Sequence, residues 1–368
     1  MHIVHVITKL DVGGAQTHVV ELATGQLAAG HRVEIVSGTD GPAAQRAVSA
    51  GIPVRVLPAL GGSHGRMSQR GALAAVTDAL DEIRPQLVHG HSSNAGLHAR
   101  LAARRLRLPS VYTAHGWPFQ QGAPWSQRVM SFSGEFVAGH MGDAVIVLTD
   151  AERDRALRAR IAPRDRIWVV PNGIGDVPEG ERRRRTVGGD PAVMVMVARF
   201  APPKLQAELV GLLAALTDLP WTLRFVGDGP DLQACRTAVE SSSALRLRVS
   251  FLGHRDDVAS ILADSDIGIL WSRYEGLPIS VAEYMRAGLC CVGSDLPGVR
   301  ALFGPEEAGV VAAPAQLANV LTDLLADPDR IDRLGAAARS RYEAWYSVSA
   351  MVAATDRVYE AACSVRRS

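Results

Sequence analysis

The strongest constraint on this chain is an alternation between short β-branched runs and longer helical ones, carried through most of its 368 residues. HIVHVIT reads as a strand, DVGG as a loop, and Ala15 to Ala29 as a helix stopped by Gly30. RVEIVS, PVRVL, QLVHGH, SVYTAH and DAVIVL follow as strands, with helices at Gln69 to Ile83, Ala95 to Leu106 and Ser126 to His140 among those between them. Strands separated by helices point to parallel pairing, because a parallel neighbour is reached only by crossing over a face of the sheet. The scheme then repeats. AVMVMVARF, TLRFVGDG, VSFLGH, DIGILWS and CCVGSD are strands, with helices at Leu205 to Thr217, Asp231 to Ser241, Val258 to Ala263 and around Glu283. From Pro328 the chain reads as helical to near its end. The pattern predicts an α/β protein of two doubly wound, Rossmann-like domains facing each other across a cleft, with ligands at the C-terminal ends of the strands.

The boundary falls in PNGIGDVPEGERRRRTVGGDP, rich in Gly, Pro and charge, as domain linkers are. The expected divisions are an N-terminal domain over 1–176, a linker over 177–190, a C-terminal domain over 191–345, and a helix over 346–368 packing back on the first domain. The Arg182 to Arg185 run is read as solvated linker, with a contact to acidic lipid or phosphate as the alternative. Thirty-nine Lys+Arg against 38 Asp+Glu leave a formal +1, which removes any global case for nucleic acid. Cys235, Cys290, Cys291 and Cys363 lack metal-ligand spacing, and Cys290 and Cys291, in an apolar strand-like run, read as buried reduced thiols of a cytoplasmic protein. No signal-peptide pattern opens the sequence, and no apolar run approaches the roughly 20 residues of a transmembrane helix. Any membrane contact is therefore expected to be peripheral, at the inner face.

The second half places chemistry at its strand ends. In VARFAPPK, Arg199 and Lys204 suit a diphosphate, the first by paired hydrogen bonds and the second as a point charge. FVGDGP offers Gly227 and Gly229 for a tight turn or close ligand approach. In YEGLPISVAEYMRAG, Glu275 precedes a turn and Glu283 lies inside the helix that follows. Pro278 suits the first helical turn, which leaves the N–H groups of Ile279 and Ser280 to face an anion. Two carboxylates flanking such a helix end can each accept hydrogen bonds from a diol, one from ribose and one from a sugar. Taken singly, each feature has an ordinary reading as a surface charge or a turn.

Together, and in order, these segments resemble the retaining glycosyltransferases of the GT-B fold, in the large family 4 group. The resemblance rests on EGLPISVAE with its paired glutamates, VVPNGI, ARFAPPK, FVGDGP, FLGHRDDV and SDLPGV, and on DVGGAQTHVVELA, HGHSSNAGLHARLAARR and TAHGW in the first half. It implies that Glu275 holds the hydroxyls of a donor sugar and Glu283 the ribose. Gly276, Leu277, Pro278 and Ile279 would lie near sugar and phosphate, and Arg199 and Lys204 on the diphosphate. It also implies that Gly13 and Gly14 border the donor phosphates, that His115 is an active-centre histidine, and that the acceptor region includes His91, Asn94 and Trp117. Asn94 stands where lysine is usual, and Leu205 where glycine is usual.

The implied reaction moves a sugar from a nucleotide diphosphate sugar, UDP or GDP type open, to a hydroxyl of a carbohydrate or lipid-linked acceptor with its anomeric configuration kept. It needs no cofactor and no metal. DSD (Asp264 to Asp266) imitates an Asp-x-Asp metal motif but sits where a helix ends and a strand begins, and is read as capping. His89, His91 and His98 lack the spacing of a metal site. Arg100, Arg104, Arg105 and Arg107 form a basic helical surface, either solvated or docking to an anionic membrane. A sugar-nucleotide epimerase of the same shape and a non-catalytic nucleotide-sugar-binding subunit are the alternative readings.

Overall fold

The computed structural model describes residues 1–11, 13–61, 66–115, 136–177, 191–305 and 308–365. They form two compact units, Met1–Gly175 with Ser347–Ser368, and Asp176–Tyr346. The first holds seven strands: β1 (His2–Ile7), β2 (Arg32–Ser37), β3 (Val54–Val56), β4 (Leu87–His91), β5 (Ser110–Thr113), β6 (Ala144–Val147) and β7 (Ile167–Val169). Their order is β3-β2-β1-β4-β5-β6-β7, and every pairing is parallel. The second holds β8 (Ala192–Val197), β9 (Trp221–Val226), β10 (Val249–Phe251), β11 (Ile267–Leu270), β12 (Cys290–Ser294) and β13 (Val310–Ala312). These run β10-β9-β8-β11-β12-β13, again all parallel.

Both sheets are doubly wound, each reversing its direction of growth beside its first strand, between β1 and β4 and between β8 and β11. At such a reversal the crossover helices leave to opposite faces, and a crevice opens beyond the strand ends. Burial on both faces explains why the strands read as apolar runs rather than alternating ones, as in AVMVMV of β8, buried at its first five positions. β7 and β13 were not foreseen. Each is a three-residue edge strand, as are β3 and β10, which were foreseen. Of the predicted helix Ser126 to His140, residues 126–135 lie outside the described residues. So does the Arg182 to Arg185 run.

The Val348–Val365 helix belongs to the first unit, where Met351, Val352, Val358, Tyr359 and Ala362 share a core with Ile3, Leu22, Leu87 and Val111. None of the four cysteines is in a disulfide, and Cys290 and Cys291 are fully buried. Among the described residues no helix is long and apolar enough to cross a membrane.

The basic surface requires a correction. Arg104, Arg105 and Arg107 are exposed, but Arg100 is buried, with its guanidinium stacked 3.9 Å from the centre of the Tyr112 ring and its Nε donating to Gly96 O at 2.9 Å. In the Ser93–Leu106 helix, position 100 shares the inward stripe with the buried Gly96, Ala99 and Ala103, so a helical spacing of four carries it into the core. Asp264 and Asp266 are structural. Asp264 caps the Val258–Ala263 helix, and the buried Asp266 accepts from Val193 N at 2.9 Å, tying the start of β11 to β8.

Candidate functional site

The second unit's reversal point is assembled by backbone. Leaving β8, the chain passes through Arg199 to Lys204. Leu205 N then donates to Trp271 O at 3.0 Å, and Arg273 N donates to Pro203 O at 2.9 Å. This short antiparallel zip, with Lys204 opposite Ser272, puts the Lys204 ammonium on the Glu275 Oε1 carboxylate oxygen. Both side chains are mostly shielded from water, at 19% and 11% exposure, so the pair acts in a weakly screened environment. Leu205 sits at φ −123°, outside the left-handed region that would call for glycine.

The helix beyond the turn runs Ile279–Ala287, with Pro278 as its cap rather than its first residue. Val281 and Ala282 N–H groups donate to Pro278 O, leaving those of Ile279 and Ser280 at the positive end of the helix. Tyr284 fixes the helix across the reversal. Its hydroxyl accepts from Val197 N at 2.7 Å, the last amide of β8, and burial pushes its phenol far up. One position before it, Glu283 lies 3.9 Å from Arg286, and burial pushes its carboxyl above the usual range against the pull of that arginine.

Two glycine positions define the space. Gly227 and Gly229 adopt φ of +136° and +156°, and a Cβ at either would strike the β8 loop, 2.1 Å from Ala198 O or 2.3 Å from Phe200 O. Arg199, exposed, lines a cavity of ≈ 700 Å³ with Gly227, Asp228, Gly229, His254 and Arg255. Gly298, from the SDLPGV segment, packs so closely under the turn that a Cβ would come 1.7 Å from Gly276 O. Gly298 and Tyr284 were assigned no role from sequence. A Pro-Gly opening a helix after a strand was the available signal for the first.

The first unit gathers histidines at its own reversal point. His5 on β1 pairs in register with His89 on β4, and the period of two puts His91 on the same face. The network around them can be read proton by proton. Gln26 Nε2 donates to Tyr359 OH, so its Oε1 accepts from His5 Nε2 at 2.8 Å. His5 Nδ1 then accepts from His91 Nε2 at 2.9 Å. Tyr359 OH, having accepted from Gln26, donates to His89 Nδ1 at 2.7 Å, and His89 Nε2 donates to Thr113 Oγ1 at 2.7 Å. His91 is thereby left with a lone pair on Nδ1, which faces His115 Nε2 at 3.2 Å.

Burial pushes His5 and His115 down to about 4, the first against the raising effect of Gln26. His18, His89 and His91 are held well below the ordinary histidine range by burial and then by one another. All five rings are therefore neutral near pH 7.

Of the other expected residues, Gly13 caps and Gly14 begins the Gly14–Ala28 helix after β1. Asn94 lies in the first turn of the Ser93–Leu106 helix, and its carbonyl accepts from His98 Nδ1. His98 also reaches Gln69 O, which makes it a packing residue. Trp117 lies outside the described residues. The structure thus brings Lys204 to Glu275 and His91 to His115. His5, His18, Gln26 and Tyr359 join the second pair, and sequence reasoning missed them. Histidines in two strands that a doubly wound order makes adjacent were the signal.

Residues 13–173 match the Glycosyl transferase 4-like domain, and residues 179–341 match Glycosyl transferases group 1. The chain belongs to the group 1 glycosyl transferases. It is 27% identical to the UDP-Gal:alpha-D-GlcNAc-diphosphoundecaprenol alpha-1,3-galactosyltransferase of Escherichia coli, over 64% of this chain and 64% of that one. It is also 27% identical to the glycogen synthase of Mycobacterium tuberculosis, over 95% and 92%. Its fold is similar to that of HepE from Anabaena, solved in complex with UDP, with a TM-score of 0.78 at 20% identity over 98% of this chain and 100% of that one. A glycosyltransferase from Rickettsia africae gives 0.79 at 17% identity over 98% of each. These are GT-B structures.

Two outcomes are expected. Gly298→Ala should cost about 1–3 kcal/mol by overpacking, while Gly276→Ala, whose Cβ would meet nothing within 4 Å, should cost far less. Equal urea midpoints for the two variants would contradict the close approach. Acid should also destabilise the protein. Rings whose folded pKa is depressed contribute stability that is complete above the unfolded value of 6.5 and lost as pH falls toward about 4. A melting temperature constant between pH 7 and 4.5 would refute this.

Proposed function

We propose that the protein is a retaining glycosyltransferase that moves a sugar from a nucleoside diphosphate sugar, of UDP type, to a hydroxyl of a carbohydrate or lipid-linked acceptor. The observation that carries this reading is the Lys204–Glu275 pair held at the β8/β11 reversal, on the loop that leads to the Ile279–Ala287 helix end. UDP is the first nucleotide to test, because HepE was solved with UDP and the Escherichia coli relative is named for UDP-Gal.

The barrier to such a transfer is charge: a sugar cation develops while a diphosphate departs. Lys204 and Arg199 neutralise the departing oxygens, and the N–H groups of Ile279 and Ser280 add a fixed positive end. Because these donors are set by backbone pairing and by Tyr284, little reorganisation is needed when the bond breaks. Glu275 accepts hydrogen bonds from sugar hydroxyls and orients Lys204. Glu283 accepts from the ribose. Its raised carboxyl pKa reflects a charge held partly out of water, and ligand hydroxyls would restore its solvation. On the acceptor side, His115 offers an uncharged imidazole, with His91 and Asn94 nearby in the fold of the first unit. In the front-face course we favour, the leaving phosphate takes the acceptor's proton.

Incubation with UDP-sugars tests the class. A transferase gives slow hydrolysis without acceptor, an epimerase gives isomerised sugar, and a non-catalytic subunit gives neither. Lys204→Ala should lower kcat by about 100- to 1000-fold, the usual cost of one preorganised charge-stabilising donor. Full turnover in that variant would remove Lys204 from the mechanism. Glu283→Gln should weaken UDP binding by about 1.5–3 kcal/mol, the worth of hydrogen bonds to a charged group. It should do so without loss of melting temperature near pH 7, because a carboxyl with a raised folded pKa contributes stability only at low pH. Unchanged UDP affinity would show that Glu283 does not touch the nucleotide.

A further inference from the structure

We propose that Gln26 is a positioning residue for the transfer: acting through His5 and His91, its side-chain amide holds the proton of His115 on Nε2 and leaves Nδ1 bare to accept a hydrogen bond from a sugar hydroxyl. This role rests on the reading of His115 as an active-centre residue. It is built on an unbroken run of side-chain hydrogen bonds, from Thr113 through His89, Tyr359, Gln26, His5 and His91 to His115, with each link between 2.7 and 3.2 Å. All members but His115 are fully buried, so each must find its partner within the run.

Gln26 sets the direction. An imidazole or a hydroxyl exchanges donor for acceptor by moving or turning one hydrogen, whereas a carboxamide has a donor end and an acceptor end fixed by its covalent structure. Gln26 Nε2 donates to Tyr359 OH at 3.0 Å, and its Oε1 accepts from His5 Nε2 at 2.8 Å. Burial keeps the rings neutral near pH 7, so each carries one proton. His5, protonated on Nε2, accepts at Nδ1 from His91 Nε2, and His91 accepts at Nδ1 from His115 Nε2. The one proton of His115 is thereby committed, and no hydrogen bond among the described residues reaches its Nδ1. Turning the amide end for end would set its NH2 against a protonated His5 Nε2, so the rings would have to move their protons with it.

A bare, uncharged Nδ1 selects its ligand. It accepts from an O–H group but meets a phosphate oxygen lone pair against lone pair, so a sugar hydroxyl is its partner and the diphosphate is not. Burial pushes His115 down to about 4, so near pH 7 the ring accepts a hydrogen bond without taking the proton. That suits a course in which the leaving phosphate removes the acceptor's proton. At the other side of Gln26, burial pushes the Tyr359 phenol far up, so its hydroxyl keeps the hydrogen it donates to His89 while it accepts from the amide.

The test uses the full chain with ¹⁵N-labelled histidine rings at pH 7, the His115 signals being those lost in His115→Gln. Spectra that distinguish a protonated from a bare ring nitrogen should show His115 as the Nε2–H tautomer. Gln26→Met and Tyr359→Phe, which remove the amide or its anchor, should each turn His115 into a mixture of tautomers. Val358→Ala opens a cavity in the core that holds Tyr359, and should lower the melting temperature while leaving the tautomer unchanged. A wild-type His115 protonated on Nδ1, a tautomer unmoved by both polar variants, or one moved equally by Val358→Ala would overturn the proposal. Gln26→Met should also keep the affinity for UDP and lower kcat/KM about 3- to 10-fold, the worth of one neutral hydrogen bond. A fall in the hydrolysis of UDP-glucose or UDP-galactose without acceptor places the hydroxyl on the donor sugar. A fall seen only with free glucose or N-acetylglucosamine added places it on the acceptor. No fall in either, or a matching loss of UDP affinity, would overturn the hydroxyl contact. The ring spectra need no turnover, so their outcome is separate from any failure of the transferase reading.

Discussion

The second unit depends on one juxtaposition: an ammonium held against a carboxylate where the sheet reverses direction. That pair is not placed by the flexibility of two long side chains. It follows from two backbone hydrogen bonds between the chain leaving β8 and the chain leaving β11, Leu205 N to Trp271 O and Arg273 N to Pro203 O. Tyr284 extends the same device by capping the last β8 amide with a hydroxyl from the helix. Gly298 supports it from beneath, since only a residue without a side chain lets one turn lie that close to another. Charge, helix end and turn are thus positioned by main chain, the least compliant part of the molecule.

The first unit uses its own reversal differently. Instead of a charged pair it buries four histidines and half-buries a fifth, His115, and a buried imidazole is tolerable only if neutral and matched. Four of the five find partners within a hydrogen-bond chain that runs from Thr113 through His89, Tyr359, Gln26, His5 and His91 to His115. His18 does not. The contrast sets His18, beside Asn172, apart from the bonded rings.

Much of this was legible in the sequence, for identifiable reasons. Long parallel strands such as AVMVMV are buried on both faces and therefore read as unbroken apolar runs, and RVEIVS was located to the residue. The approach of Glu275 to Lys204 was inferable once both were placed at strand ends on either side of a reversal. What escaped detection depends on distant partners. Arg100 reads as a surface cation until Tyr112 is known to lie under it. His18, Gln26 and Tyr359 are ordinary helix residues in one dimension, and only the pairing of β1 with β4 gives them a common face.

The Val348–Val365 helix has a further consequence. It contributes Tyr359 to the polar chain and five side chains to the first unit's core, yet it follows the whole second unit in the sequence. Domains generally fold as they leave the ribosome, the N-terminal one first. Here the earlier-made unit stays incomplete until the later-made one has been translated, so its maturation is timed by the arrival of the Val348–Val365 helix.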